Sequence, residues 1–180
     1  MPFDLPSSIQ RYVAVSSIGS STVRSRPSGT LDAARGFLET IRLGRMGIKK
    51  GWEFRERPDR LTEDLRISLP ARAKYWGLAR KILNMFLRDA TYNHYLRNEF
   101  NLDRAETRLE IPLDSAVATG LRRRSPRGSL PPWPGLRSLK PADHAVFQQR
   151  ASELAADYGW IGYIWTQYCG LMNGKDTDHG

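Results

Sequence analysis

The chain has 180 residues, and its 40% hydrophobic and 10% aromatic content excludes a globally disordered protein. Its 28 Lys and Arg residues outnumber its 19 Asp and Glu residues, and the resulting net charge of +9 favours a polyanionic partner, above all nucleic acid. The single Cys169 excludes an internal disulfide, and no apolar run approaches the roughly 20 residues of a membrane helix, so we expect a cytoplasmic protein without a membrane partner.

The first third of the chain is predicted to be an arm followed by two short helices. Residues 1–28 are rich in Ser, Pro and Gly, which predicts an extended arm with one short strand at most. Apolar residues at helical spacing predict a helix that begins near Thr30 and ends near Gly44. Residues 44–60 are charged and interrupted by glycine and proline, so we expect an exposed loop, and a short helix follows from Thr62.

Residues 71–97 carry the strongest helical pattern of the chain, with Ala79, Leu83 and Phe86 on one apolar face. The later elements are, in order, a polar connection over 98–111, a short helix over 114–121, a basic Pro-rich linker over 122–141, a helix from Pro141, an aromatic helix over 158–168 and a frayed tail over 173–180. Strand signals are scarce. The sequence therefore predicts an all-α fold of six to eight helices, with residues 29–172 forming one compact domain.

Metal and cofactor chemistry receive no support from the sequence. The three histidines, His94, His144 and His179, and the single cysteine do not stand at ligand spacing. Neither a Walker-type phosphate loop, nor a dinucleotide fingerprint, nor a nucleophile elbow is present. We therefore expect no metal and no cofactor.

Two short segments carry the functional signal. The first reads GLARK and ends at Lys81, and the second reads LDSAV and contains Asp114. In this order they resemble the helix-hairpin-helix DNA glycosylases, in which a Gly-apolar-Gly-x-Lys hairpin leads into a helix and an apolar-Asp-[Thr/Ser]-x-Val stretch follows. The separation of 33 residues is closest to the archaeal 8-oxoguanine branch of that superfamily, and Ala79 stands where the family has its second glycine.

The resemblance implies excision of a damaged or modified base, 8-oxoguanine among others, from double-stranded DNA after the nucleotide leaves the stack. It makes Lys81 the nucleophile at the sugar C1′, with AP-lyase activity to follow, and Asp114 the group that stabilises the cationic sugar. It also implies a helix-hairpin-helix element. We expect a monomer that associates with the nucleoid.

Further residues are expected to hold the DNA. The hairpin and exposed arginines are the candidate phosphate contacts, namely Gly77, Ala79, Arg80, Arg88, Arg122, Arg123, Arg124 and Arg127. The aromatic candidates for stacking on an extruded base are Trp76, Phe86, Trp165 and Tyr168. The hydroxyl-rich run over 17–22 is a candidate lining for the same pocket.

Two other interpretations stay open at this point. A non-catalytic helix-hairpin-helix DNA-binding protein would use the same hairpin and the same charge, with Lys81 a solvated lysine and Asp114 an ordinary helix N-cap. A helical RNA-binding or assembly protein is the third possibility, although the sequence holds no signature of an RNA-binding module. Trapping of a covalent adduct through Lys81 separates the first two.

Overall fold

The computed structural model describes the backbone of residues 4–46 and 51–157 and the side chains of residues 4–46 and 58–157. Its seven α-helices are α1 (Leu5–Ser17), α2 (Thr30–Glu39), α3 (Gly51–Ser68), α4 (Trp76–Tyr92), α5 (His94–Phe100), α6 (Ser115–Arg123) and α7 (Pro141–Asp157). Three 3-10 helices span Leu43–Arg45, Ala71–Ala73 and Leu102–Arg108. These ranges hold no strand, so the all-α prediction is confirmed. None of the described helices is both long and apolar enough to cross a membrane.

The N-terminal segment is a helix, and the prediction of an extended arm over 1–28 is wrong. The Asp4 side chain caps α1 by accepting from the Ser7 amide, and a proline in the first turn needs no hydrogen-bond partner there. From the middle of α1, Gln10 Nε2 donates to the carbonyls of Leu38, Glu39 and Ile41 at 2.8–3.1 Å. The helix therefore satisfies the end of α2, a contact that local composition does not reveal.

Helix α3 covers much of the segment for which we expected an exposed loop. It begins at Gly51, well before the predicted start at Thr62, and it contains Pro58. The helix packs against α4 and buries Leu65 completely. Because this packing outweighs the poor helix propensity of glycine and proline, the loop prediction over 44–60 is wrong for residues 51–60.

Helix α4 is the central element, and it is shorter than the predicted helix over 71–97. It begins at Trp76 and ends at Tyr92, because Asn93 adopts an extended conformation (φ −71°, ψ 114°). The Asn93 side chain then caps α5 by accepting from the Leu96 amide at 3.0 Å. The polar connection expected after it contains the 3-10 helix Leu102–Arg108.

The core consists of two clusters of buried side chains. The larger one joins α1 to α5 and their connections around Leu78, Ile82 and Phe86 of α4. The smaller one lies around Phe147 and unites α6, α7 and the segments that precede them, where Trp133 packs edge-on against Phe147 at 5.5 Å. The predicted aromatic helix over 158–168 and the tail over 173–180 lie outside the described residues.

The first turn of α4 touches the linker that leads to α7. A Cβ at Gly77 would lie 2.6 Å from the Leu136 carbonyl oxygen and 2.8 Å from the Leu139 Cβ. Only glycine allows this approach, because any side chain would push the linker away from α4. Gly77 therefore acts here as a packing residue between α4 and the linker.

Candidate active site

Helices α4 and α6 bring together the two residues that the sequence motifs single out. Lys81 lies in the second turn of α4, and Asp114 is the N-cap of α6. Lys81 Nζ donates to Asp114 Oδ2 at 3.0 Å across a sequence separation of 33 residues. The two side chains are 15% and 33% exposed, so the pair lies at the surface of the core where a ligand can reach it.

The two carboxylate oxygens of Asp114 have separate partners. Oδ1 accepts from the Val117 amide at 3.0 Å, which caps α6, and Oδ2 accepts from Lys81. The cap fixes the carboxylate with one oxygen and leaves the other for the lysine. An N-cap role and a chemical role for Asp114 are therefore compatible.

Helix α7 holds the segment that leads to Asp114. The Gln148 side chain pairs with both backbone groups of Ile111: Nε2 donates to the carbonyl at 2.8 Å, and Oε1 accepts from the amide at 2.9 Å. Ile111, Pro112 and Leu113 are buried. The backbone three residues before Asp114 is thus anchored to a helix.

An open cavity of about 390 Å³, called the Lys81 cavity here, surrounds the ion pair. Its lining residues are Ser21, Thr22, Lys81, Met85, Arg88, Pro112, Asp114 and Val117. Lys81, Met85 and Arg88 stand at spacings of four and three residues and so share one face of α4.

The turn between α1 and α2 completes the Lys81 cavity. The hydroxyl-rich run over 17–22 was predicted to line a pocket, and its Ser21 and Thr22 do so. Neither hydroxyl makes a hydrogen bond within the described part of the chain. Both are therefore available to a ligand. Arg88, a predicted DNA contact, also lines the cavity and pairs with the adjacent Asp89 at 2.7 Å.

Arg80 lies on the other side of α4, and its predicted contact with DNA is wrong. Its Nε and Nη2 donate to the two oxygens of Glu110, both at 2.7 Å, while Nη1 donates to Thr62 at 2.9 Å and forms an ion pair with Asp59 at 2.9 Å. The residue is 4% exposed. Gly77 and Ala79 are buried as well, so these three residues present no open surface to a phosphate.

Glu110 is the centre of a buried polar network that the sequence analysis did not identify. Besides Arg80, it accepts from Asn84 Nδ2 at 3.0 Å and lies 3.6 Å from His144 Nε2. Although burial alone would raise its pKa, the Arg80 guanidinium holds the pKa of Glu110 below its usual value. No local signal identifies this network, because the sequence does not show that Arg80 is buried and therefore requires a carboxylate.

His144 joins the same network from α7. Burial lowers the pKa of the His144 imidazole to about 4, with Arg80 acting in the same direction and Glu110 opposing both. Trp76 packs edge-on against the imidazole at 5.2 Å. These residues line a second cavity of about 760 Å³, called the Glu110 cavity here, on the face of α4 away from Lys81.

The aromatic residues predicted to hold a base do not line the Lys81 cavity. Phe86 is 0% exposed within the larger core cluster, so it cannot stack on a ligand and that prediction is wrong. Trp76 lines the Glu110 cavity instead. Trp165 and Tyr168 lie outside the described residues.

The basic cluster stands away from the ion pair. Arg122 and Arg123 are exposed in the last turn of α6, about 12 Å along the helix axis from its first residue. Arg127 is exposed in the linker, whereas Arg124 is partly buried and its carbonyl accepts from Arg150 Nη2 at 3.0 Å. A phosphate contact by these arginines stays a prediction.

The described residues hold no group of three or more His, Cys, Asp or Glu side chains with the geometry of a metal site. The chain matches no known family model, no curated protein and no solved structure.

Proposed function

We propose that this chain is a base-excision DNA glycosylase that also nicks the strand at the abasic site. The observation that carries the proposal is the 3.0 Å contact between Lys81 Nζ and Asp114 Oδ2 beside an open cavity. An amine nucleophile next to a carboxylate is the pair that this chemistry requires. The net charge of +9 attracts the DNA.

The Lys81 cavity suits an extruded nucleotide in size and in lining. Its volume of about 390 Å³ falls within the range of about 300–1,000 Å³ that is typical of small-molecule sites. Met85 and Val117 provide apolar walls, and the hydroxyls of Ser21 and Thr22 can hydrogen-bond to the edge of a base. A nucleotide must leave the stack to enter, because the glycosidic bond is inaccessible within a duplex.

In the proposed reaction, Lys81 attacks the sugar. Its ammonium first loses a proton, for which Asp114 Oδ2 is the nearest carboxylate acceptor. The Nζ lone pair then forms a bond to C1′ while the bond from C1′ to the base breaks. The base leaves with the electron pair of the broken C1′–base bond and takes up a proton from water. Opening of the C1′–O4′ bond gives a Schiff base, and loss of a C2′ proton expels the 3′ phosphate.

The test uses the full chain with duplexes that each carry one altered base, starting with 8-oxoguanine, and with a duplex that carries an abasic site. Base release and strand nicking are measured, and sodium borohydride is added to reduce the Schiff base to a stable amine. We expect the parent protein to form a covalent complex with DNA. Lys81→Gln should abolish trapping and nicking, a loss of several orders of magnitude.

A matched control is available in Lys140, which is exposed just before α7 and lines neither the Lys81 cavity nor the Glu110 cavity. Lys140→Gln removes the same charge and should trap as the parent does. If Lys81→Gln cleaves normally, Lys81 is not the nucleophile. If the parent acts on none of the duplexes yet binds DNA, the non-catalytic DNA-binding protein is the correct interpretation.

A further inference from the structure

A cluster of two arginines and a tyrosine lies at the start of α4. The Arg26 guanidinium carbon is 5.2 Å from the centroid of the Tyr75 ring, and that of Arg137 is 5.4 Å from the same centroid. Arg26 belongs to the turn after α1, Arg137 belongs to the linker before α7, and Tyr75 is the N-cap of α4. Two segments that are distant in the sequence therefore each place one guanidinium group against the Tyr75 ring.

This arginine–tyrosine cluster lacks compensating negative charge. Arg66, Arg80, Arg97 and Arg150 each pair with a glutamate, whereas no carboxylate among the described side chains pairs with Arg26 or Arg137. The Arg26 Nε–H is buried without an acceptor. No acidic residue stands in the first turn of α4. An aromatic face fixes the guanidinium groups while leaving their charge uncompensated.

The cluster takes the place of the phosphate contact that the sequence predicts for the backbone at Gly77 and Ala79. The Leu136 carbonyl lies against Gly77, so the linker covers part of the first turn of α4. Side chains from the linker and from the turn after α1 therefore present the positive charge at this end of the helix. The two guanidinium carbons are no more than 10.6 Å apart, as the two distances to the ring require.

We propose that Arg26 and Arg137, fixed on Tyr75, bind the phosphodiester backbone of the DNA strand whose sugar lies at Lys81. Tyr75 precedes Lys81 by six residues, or about 9 Å along the helix axis. That distance corresponds to two or three nucleotides at a rise of about 3.4 Å each. The register relative to the reacting sugar rests on the proposed function, whereas the phosphate contact itself can be measured without any chemistry.

The experiment compares two double variants of equal charge. Arg26→Gln/Arg137→Gln removes the cluster, and Arg42→Gln/Arg104→Gln removes two exposed arginines that have no carboxylate partner among the described side chains and that lie near α5. Binding to a fluorescein-labelled duplex, with and without an abasic site, is followed by anisotropy over a range of salt concentrations. We expect the cluster variant to bind roughly tenfold more weakly than the control and to lose about two units of salt slope.

Tyr75→Leu provides a second measurement that keeps both charges. It removes the aromatic face but preserves apolar contact with the core, so we expect a smaller loss of affinity than in the double variant, with folding verified by circular dichroism. Equal affinity and equal salt slope for the cluster and control variants would overturn the proposal, as would a parent protein that does not bind duplex DNA.

The outcomes also separate this proposal from the enzymatic one. A cluster variant that binds weakly but nicks at the parent rate once saturated with protein supports a phosphate contact outside the chemistry. Weak binding by the cluster variant together with a parent that never traps DNA supports the contact and rejects the glycosylase. If the cluster variant keeps the parent affinity and the parent traps DNA through Lys81, the phosphate contact is rejected and the glycosylase is supported.

Discussion

Arg80 and Lys81 are consecutive residues of α4, and each binds a carboxylate that follows it by about thirty residues in the chain. The Arg80 side chain pairs with Glu110 and is 5% exposed, whereas the Lys81 side chain pairs with Asp114 and is 15% exposed in the Lys81 cavity. Consecutive helical residues point about 100° apart, so one step along α4 turns from the core to a surface. Similar sequence patterns thus give one structural ion pair and one candidate for chemistry.

The number of hydrogen bonds distinguishes the two pairs. Arg80 donates to Glu110 with two nitrogens and to Thr62 with the third, which also forms an ion pair with Asp59, so these contacts engage most of the five N–H donors of the guanidinium. Lys81 has one carboxylate partner, and an ammonium has three donors. A buried cation that spends most of its donors on protein groups stabilises the fold, whereas Lys81, with one carboxylate partner beside a cavity, has donors left for binding or reaction.

Among the substitutions, the largest effect on stability is expected from the Arg80 pair. Arg80→Met leaves Glu110, whose side chain is 28% exposed, without its main partner, so the loss in the free energy of unfolding should be about 2–3 kcal/mol, below the cost of breaking a fully buried pair. Lys81→Met should cost less than about 1 kcal/mol, because both side chains of that pair are more exposed than their counterparts in the Arg80 pair and it makes a single hydrogen bond. Urea denaturation followed by circular dichroism measures both values.

Addition of Glu110→Leu tests the origin of the Arg80 effect. If the unpaired carboxylate causes the loss, the double variant Arg80→Met/Glu110→Leu should be more stable than Arg80→Met alone. A double variant that is less stable, or a Lys81→Met loss as large as that of Arg80→Met, would remove the distinction between the two pairs.

The next effect concerns His144, on the Arg80 side of α4. Burial lowers the pKa of the folded His144 imidazole to about 4 from its ordinary value of 6.5, so the unfolded chain binds more protons between these pH values. The free energy of unfolding should therefore fall as the pH decreases from 6.5 to 4, by about 3 kcal/mol in total from this residue. Below that window, protonation of Glu110, whose pKa is lowered, should destabilise the fold further.

Urea denaturation at a series of pH values measures the His144 contribution. His144→Gln should have a flatter profile than the parent between pH 6.5 and 4, because glutamine does not titrate. Identical slopes for the two proteins in this interval would mean that His144 is not held neutral by its burial.

The fold could be predicted where local signals decide it. The helix from Pro141 begins at the predicted residue, and the predicted helix over 114–121 corresponds to α6, because a proline and a capping aspartate mark their starts. Helix α1 could not be predicted, since its strongest contact is made by Gln10 with the distant end of α2. Helix α3 was missed in part because its packing on α4 outweighs its glycine and proline.

The residues of the site could be predicted only where they belong to a recognisable sequence motif. Lys81 and Asp114 were identified from two short segments, and they lie 3.0 Å apart. Arg80 was assigned to DNA because composition does not show which of two neighbouring cations faces inward. Tyr75 carries no motif at all, and its contacts come from segments about 50 and 60 residues away. Such juxtapositions depend on tertiary structure.

The smallest expected effect separates the two roles of Asp114. Asp114→Asn keeps an oxygen for the Val117 amide, so its stability should lie within a few tenths of a kcal/mol of the parent, whereas Asp114→Ala should lose about 1 kcal/mol with the cap. Both variants lose the negative charge beside Lys81, so both should excise base poorly and to a similar degree. Activity per folded molecule is measured beside urea denaturation. An Asn variant that excises as the parent does would make Asp114 a cap alone. Lys81 could then still act as the nucleophile, because excision by the Asn variant shows only that the reaction does not need the negative charge of Asp114.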